Sequence, residues 1–165
     1  MVAGPWYPPQ ETLERSLVML KPEAVQRGLV GTIMKRFEDK CLSVLALKMV
    51  QLDKQFLEEH YAEHKGKDFI KPYIEYMANS GPVVAMVLEG QNAISAIRKM
   101  VGATDLAKAD VGTIRHDFAI HKGRNLVHAS DSVESANREI ALWFKVDEIV
   151  EAKVHKPKSA FMYEL

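Results

Sequence analysis

Along residues 16–52 the spacing of apolar positions changes period twice. SLVML (16–20) is a continuous apolar run that stops at Lys21-Pro22, which predicts a buried strand. VGTIMKRFEDK (30–40) then sets Ile33, Met34 and Phe37 at helical spacing, and LSVLALKMVQL (42–52) returns to strand character. Asp53 is placed to cap the next segment, and 53–64 and 69–78 both pattern as amphipathic helices. SGPVVAMVLEG (80–90) is apolar on both faces and predicts a central strand, with its proline at the strand start, where a missing donor does least harm. NAISAIRKMVG (92–102) repeats Ile94, Ile97 and Val101 and stops at glycine, as helices do. TIRHDFAIH (113–121) alternates like a strand. DSVESANREIALWF is the last strong helical segment, with Asp131 and Glu134 at capping-box spacing.

The resulting order is β-α-β, a helical insertion, β-α-β, then a helix and a tail. It predicts an α+β, ferredoxin-like βαββαβ sandwich: a four-stranded antiparallel sheet with helices on one face and a helical insertion. Residues 1–13, with their prolines, predict an extended arm. Residues 14–165 predict a single domain that includes the C-terminal tail KSAFMYEL, expected to pack on a neighbouring subunit. Twenty-two basic residues balance 22 acidic ones, so no global charge recruits nucleic acid or an anionic membrane. The opening lacks the basic flank and apolar segment of a secretory signal, and the longest apolar run, VVAMVL, is too short to span a bilayer. One cysteine, Cys41, excludes an internal disulfide and a cysteine zinc cluster and suits a reducing cytoplasm.

Several segments carry candidate chemistry. HYAEH (60–64) matches a short zinc pattern, yet with no third ligand in view a solvated helix face explains it better. No glycine-rich phosphate loop occurs, so phosphate handling would fall to discrete cations. Lys21 ends the first strand, Arg98 flanks the apolar stripe of its helix, and Arg115 follows a glycine-containing loop. Each reads alone as a surface charge, and together they could converge on one anion. Phe69, beside Lys67 and Lys71, suits a stacking platform for a nucleobase, whereas Tyr73 and Tyr76 read as packing residues.

His128, in NLVHASDS (125–132), stands between an apolar run and small polar residues. In the helix after it, Glu139 falls about 40° from Trp143 and about 60° from Ala136, beside the buried stripe. A carboxylate there wants a partner, and His128 with Ser130 between them would supply one, orienting an imidazole for nucleophilic or acid–base work. A capping and packing cluster would use the same residues without chemistry.

ERSLVMLKPEAVQRGLVGTIMKRFEDK, SGPVVAMVLEG, GTIRHDF and GRNLVHASDSVESANREIALWF together resemble the nucleoside diphosphate kinases, from about Glu14 to Glu151. The resemblance implies ping-pong transfer of the γ-phosphate from a nucleoside triphosphate, typically ATP, to a nucleoside diphosphate through a phosphohistidine on His128. It implies nucleotide contacts from Lys21, Phe69, Arg98, Thr104, Arg115 and Asn125, a site tyrosine at Tyr61, and positioning of the histidine by Ser130 and Glu139. It further implies nucleotide-borne Mg²⁺, with Asp131 near it through water, and a cytoplasmic homo-oligomer: a hexamer, with tetramer or dimer as alternatives. Leu106 and Val111 stand where the family often has proline, Asp68 likewise before the stacking aromatic, and His116 and Ala129 stand where glycine is common. The competing classes are a catalytically silent nucleotide-binding protein on the same fold and a nucleic-acid-binding domain, the latter disfavoured by the aliphatic strands.

Overall fold

In β3 (Val83–Gln91) each residue from Val83 to Leu88 is buried, so the strand needs cover on both faces. The computed structural model, which describes residues 13–150, shows how that cover is provided. β3 lies between β1 (Leu13–Leu20) and β2 (Ser43–Val50), and β4 (Val127–Ala129) adds to the other side of β1, in the order β2-β3-β1-β4. Every pairing is antiparallel, and β1 and β3 stay in register from Leu13 opposite Gln91 to Leu20 opposite Val84.

Alternation along these strands sorts their side chains into two cores. Val18, Leu20, Val84, Met86 and Leu88 meet Ala24 of α1 (Pro22–Gln26), Ile33 and Phe37 of α2 (Val30–Asp39), and Ile97 and Val101 of α5 (Ala93–Val101). Leu17, Met19, Ala85 and Val87 meet the opposite layer: Leu57 of α3 (Lys54–His60), Ile70, Ile74 and Met77 of α4 (Ile70–Asn79), and Ala136, Ile140 and Trp143 of α7 (Val133–Trp143). The helices of the two βαβ units thus share one face, as expected of a ferredoxin-like sandwich. The insertion and α7 form a second layer beyond the single one expected, because a strand apolar on both faces leaves neither open to water. Fully buried Phe37 alone contributes about 1.5–3 kcal/mol of transfer free energy.

Three local expectations are corrected. Residues 113–121 do not form a strand: α6 (Ile114–Phe118) is a short helix capped by Thr113, whose hydroxyl accepts from His116 N at 3.3 Å. Its alternation was ambiguous, since Ile114 and Phe118 also stand four residues apart and pack into the same core. The fourth strand is the three-residue β4. The cap of α7 is Ser132, accepting from Ser135 N at 3.1 Å, and not Asp131. Nor do His60 and His64 share a helix face, because α3 ends at His60 and a 3-10 turn takes over at Ala62–His64. Asp53 caps α3 as expected, accepting from Phe56 N at 2.8 Å. The arm and the C-terminal tail lie outside the described residues.

Candidate active site

β4 pairs with β1 so that His128 stands opposite Met19. Val127 and Ala129 therefore enter the core beneath α2 and α5, while His128 turns toward α3 and α7. The residue just before this strand, Leu126, has a positive φ of 71°, which is strained for a non-glycine residue. Its surroundings hold it there. Its N–H donates to buried Glu23 Oε1 (3.0 Å), its carbonyl accepts from Lys21 N (2.9 Å), and its side chain is fully buried.

Glu139 projects from α7 within the stripe of Ala136, Ile140 and Trp143 and is 4% exposed. Both its carboxylate oxygens lie 3.1 Å from His128 Nε2. Ser130 Oγ donates to Oε2 at 2.7 Å and accepts from Leu17 N at 3.1 Å, which ties the carboxylate to the backbone of β1. Burial pushes the Glu139 carboxyl up, but the hydrogen bond and charge of His128, with the Ser130 hydroxyl, outweigh it and hold the group below its ordinary value. A carboxylate only accepts, so Nε2 carries the proton in this pairing and Nδ1 keeps a lone pair.

A cleft of about 210 Å³ opens over His128, walled by Tyr61, Arg98, Thr104, Arg115 and Asp131 among others. Arg115 is held rigidly: Nη2 donates to Val127 O (2.7 Å), Nη1 to Gly102 O (2.8 Å) and Thr104 Oγ1 (3.3 Å), and Nε to Asn125 O (3.3 Å). Burial, then the charge of Arg98, pulls its pKa down to about 10, so it stays charged at neutral pH. Arg98 Nη1 reaches Ala129 O at 3.5 Å. Two of the three predicted cations therefore meet beside His128. The third, Lys21, does not line the cleft. It is buried behind it, with Nζ donating to Asn125 Oδ1 at 2.6 Å and lying 5.1 Å from the centre of the Tyr73 ring.

Tyr61 and Tyr73 connect the two regions through hydroxyls 3.3 Å apart. Burial raises the pKa of both phenols, so neither ionises near neutrality. Phe69 precedes α4 and is 56% exposed, its ring centre 5.9 Å from that of His64. It lies outside the cleft wall but on the same chain segment as Tyr61. Glu23, His60 and Tyr73 also belong to the site, and the sequence reading missed them as site residues. Only His60 had a usable signal: it follows buried Leu57 by three positions, which points it inward.

The family model for nucleoside diphosphate kinase matches residues 14–149. A nucleoside diphosphate kinase from Methanothermobacter thermautotrophicus is 52% identical over 152 residues, covering 92% of this chain and 99% of its own. One from Ignicoccus hospitalis is 55% identical over 139 residues, 84% of this chain and 94% of its own. Among solved structures, a halophilic nucleoside diphosphate kinase from Halobacterium salinarum in complex with CDP superposes with a TM-score of 0.84 at 44% identity. That match covers 92% of this chain and 99% of the other.

Proposed function

The chain belongs to the nucleoside diphosphate kinase family, and from that premise we propose that its phosphotransferase activity runs through a phosphohistidine on His128. The observation that carries this reading is the 3.1 Å pairing of Nε2 with Glu139, which leaves the Nδ1 lone pair available on a ring that lines the cleft. In the first half-reaction the Nδ1 lone pair attacks the γ-phosphorus, the bond to the β–γ bridging oxygen breaks, and the diphosphate leaves with that electron pair. In the second, a terminal oxygen of another nucleoside diphosphate attacks the same phosphorus and the P–N bond breaks. One site thus serves both nucleotides in turn.

A loose phosphoryl transition state asks mainly for alignment and charge neutralisation. Arg98 and Arg115 supply fixed positive charge, and Arg115 moves little because its donors are already engaged. Thr104 and Tyr61 add hydroxyls at the wall, Lys21 and Asn125, hydrogen-bonded to each other outside the cleft wall, would meet the sugar, and exposed Phe69 offers a face for any base. Ser130 and Glu139 hold the histidine. Magnesium would arrive on the nucleotide, where it neutralises phosphate oxygens. Asp131, exposed at the cleft, is a single carboxylate and suits contact with such an ion through water better than a resident site.

The wider proposal is a single domain over 14–165 with an N-terminal arm, assembled as a homo-oligomer, hexamer favoured, in the cytoplasm. Supporting self-association, β2 is an edge strand with Leu47 49% and Met49 60% exposed. The free Cys41 suits a reducing compartment, and no helix among the described residues is long and apolar enough to cross a membrane. The test is incubation with γ-labelled ATP and Mg²⁺, then a chase with unlabelled diphosphate. Acid-labile, alkali-stable label on the protein should move to the diphosphate. A protein that never labels, or a His128→Ala variant that exchanges phosphate normally, defeats the reading.

A further inference from the structure

His60, the last residue of α3, is 3% exposed, and its ring stands edge-on to those of Tyr61, His128 and Trp143 at centroid distances of 4.5, 4.8 and 5.4 Å. Trp143 Nε1 donates to its Nδ1 at 3.1 Å. An indole nitrogen is a donor only, so Nδ1 must offer its lone pair, and the proton of the neutral ring sits on Nε2. Burial, followed by the charge of His128, pulls the His60 pKa down to about 3, so the ring is neutral at physiological pH. Nε2 is itself buried and meets no hydrogen-bond partner among the described residues. Buried donors are nearly always paired, so this one calls for an explanation.

One explanation is a metal site, since His60, His128 and Glu139 bring possible ligand atoms within 4.8 Å of one another. The tautomer argues against it. With the Nδ1 lone pair taken by Trp143 and a proton on Nε2, the His60 ring has no lone pair left for a cation.

We propose that His60 is a positioning residue for phosphoryl transfer, its Nε2–H aimed by Trp143 at the His128–Glu139 pair. The inference rests on His128 being the nucleophile. The N–H presents the positive end of a fixed dipole to that pair. It favours the arrangement in which Nε2 of His128 meets Glu139 and the Nδ1 lone pair is left for the phosphorus. Neutrality of His60 is part of the device, because a cation at this distance would compete with the Nε2–H of His128 for Glu139. Other charges face the same cluster: Glu139 and Arg138 from α7, Asp131 before it, Arg98 from α5, Arg115 from α6, and Glu63 and His64 from the 3-10 turn. All stay in place in the variants below.

His60→Asn keeps an acceptor for Trp143 but has no donor at the Nε2 position, whereas His60→Gln places an amide N–H there. Full-length wild type, both variants and His128→Ala are compared in steady-state exchange across pH. We expect His60→Asn to lose kcat by about tenfold, the effect of removing a fixed N–H dipole that faces the nucleophile and its carboxylate, with KM unchanged within about twofold. His60→Gln should recover most of that kcat. Equal losses in the two variants, or no loss in either, would overturn the inference. So would imidazole nitrogen shifts of the wild-type protein showing the Nδ1–H tautomer at His60, a measurement that does not depend on any variant folding. If His128→Ala is inactive while the His60 pair is unaffected, the positioning role alone falls. If His128→Ala exchanges phosphate, the nucleophile reading falls with it.

Discussion

Ser130→Ala isolates one link in the chain that orients His128. The hydroxyl, in a residue 1% exposed, donates to Glu139 at 2.7 Å and accepts from Leu17 N at 3.1 Å. Losing a charge-assisted bond to a buried carboxylate costs about 1.5–3 kcal/mol, and orphaning a buried N–H costs about 1–3 kcal/mol. The two losses overlap in one small relaxing region, so a total of about 2–4 kcal/mol is expected, or a fall in Tm of roughly 5–15 °C. The main-chain bond from Ser130 N to Leu17 O, at 3.1 Å, survives the substitution, so the effect belongs to the hydroxyl. Urea denaturation followed by circular dichroism measures the loss. A double-mutant cycle with Glu139→Gln should show a coupling energy of about 1–2 kcal/mol. Under the same reading kcat falls about tenfold, because His128 then leans on a carboxylate free to swing. A variant within about 0.5 kcal/mol of wild type, with no coupling to Glu139, would refute the reasoning.

Glu139 also makes a pH prediction. Its folded pKa lies below the ordinary 4.5, so its stabilisation is full above that value and drains as pH falls through the depressed one. The stability gap between wild type and Glu139→Gln should therefore narrow from pH 6 to 3; constant urea midpoint differences would contradict this. Gly102→Ala is expected to cost about 2–4 kcal/mol, since φ there is 87° and the added Cβ would collide with the Thr113 side chain. Its carbonyl accepts from Arg115, so KM for nucleotide should rise as well; a melt and a KM both unchanged would count against the account. Phe69→Ala should raise KM about tenfold for every base while leaving Tm nearly unmoved, because the ring is more than half exposed and, under the proposed function, stacks on the base. A KM effect confined to one base would indicate edge recognition instead.

The elements that pattern strongly were legible without coordinates. β3 is apolar throughout and is central; α5 repeats Ile94, Ile97 and Val101 and buries all three. Glu139 was placed beside a buried stripe by helical geometry alone, and the stripe is where it lies. The misread segment, 113–121, is short, and with Ile114 and Phe118 on one side it satisfies period 2 and period 3.6 alike, so local spacing had no power to choose.

What the sequence by itself determined is therefore the alternation of elements, the apolar faces they must bury, and an inventory of groups able to do phosphate chemistry. Tertiary structure decided which of those groups meet. His128 faces the cleft because β4 pairs with β1 in one register, and a slip of a single residue would bury it in the opposite core. Lys21 joins Asn125 across 104 positions, and Trp143 selects the tautomer of His60 across 83. Hydrogen bonds and tautomers depend on distances of a few ångströms between segments remote in the chain. Those distances arise only when both faces of the sheet are packed, and no local pattern encodes them.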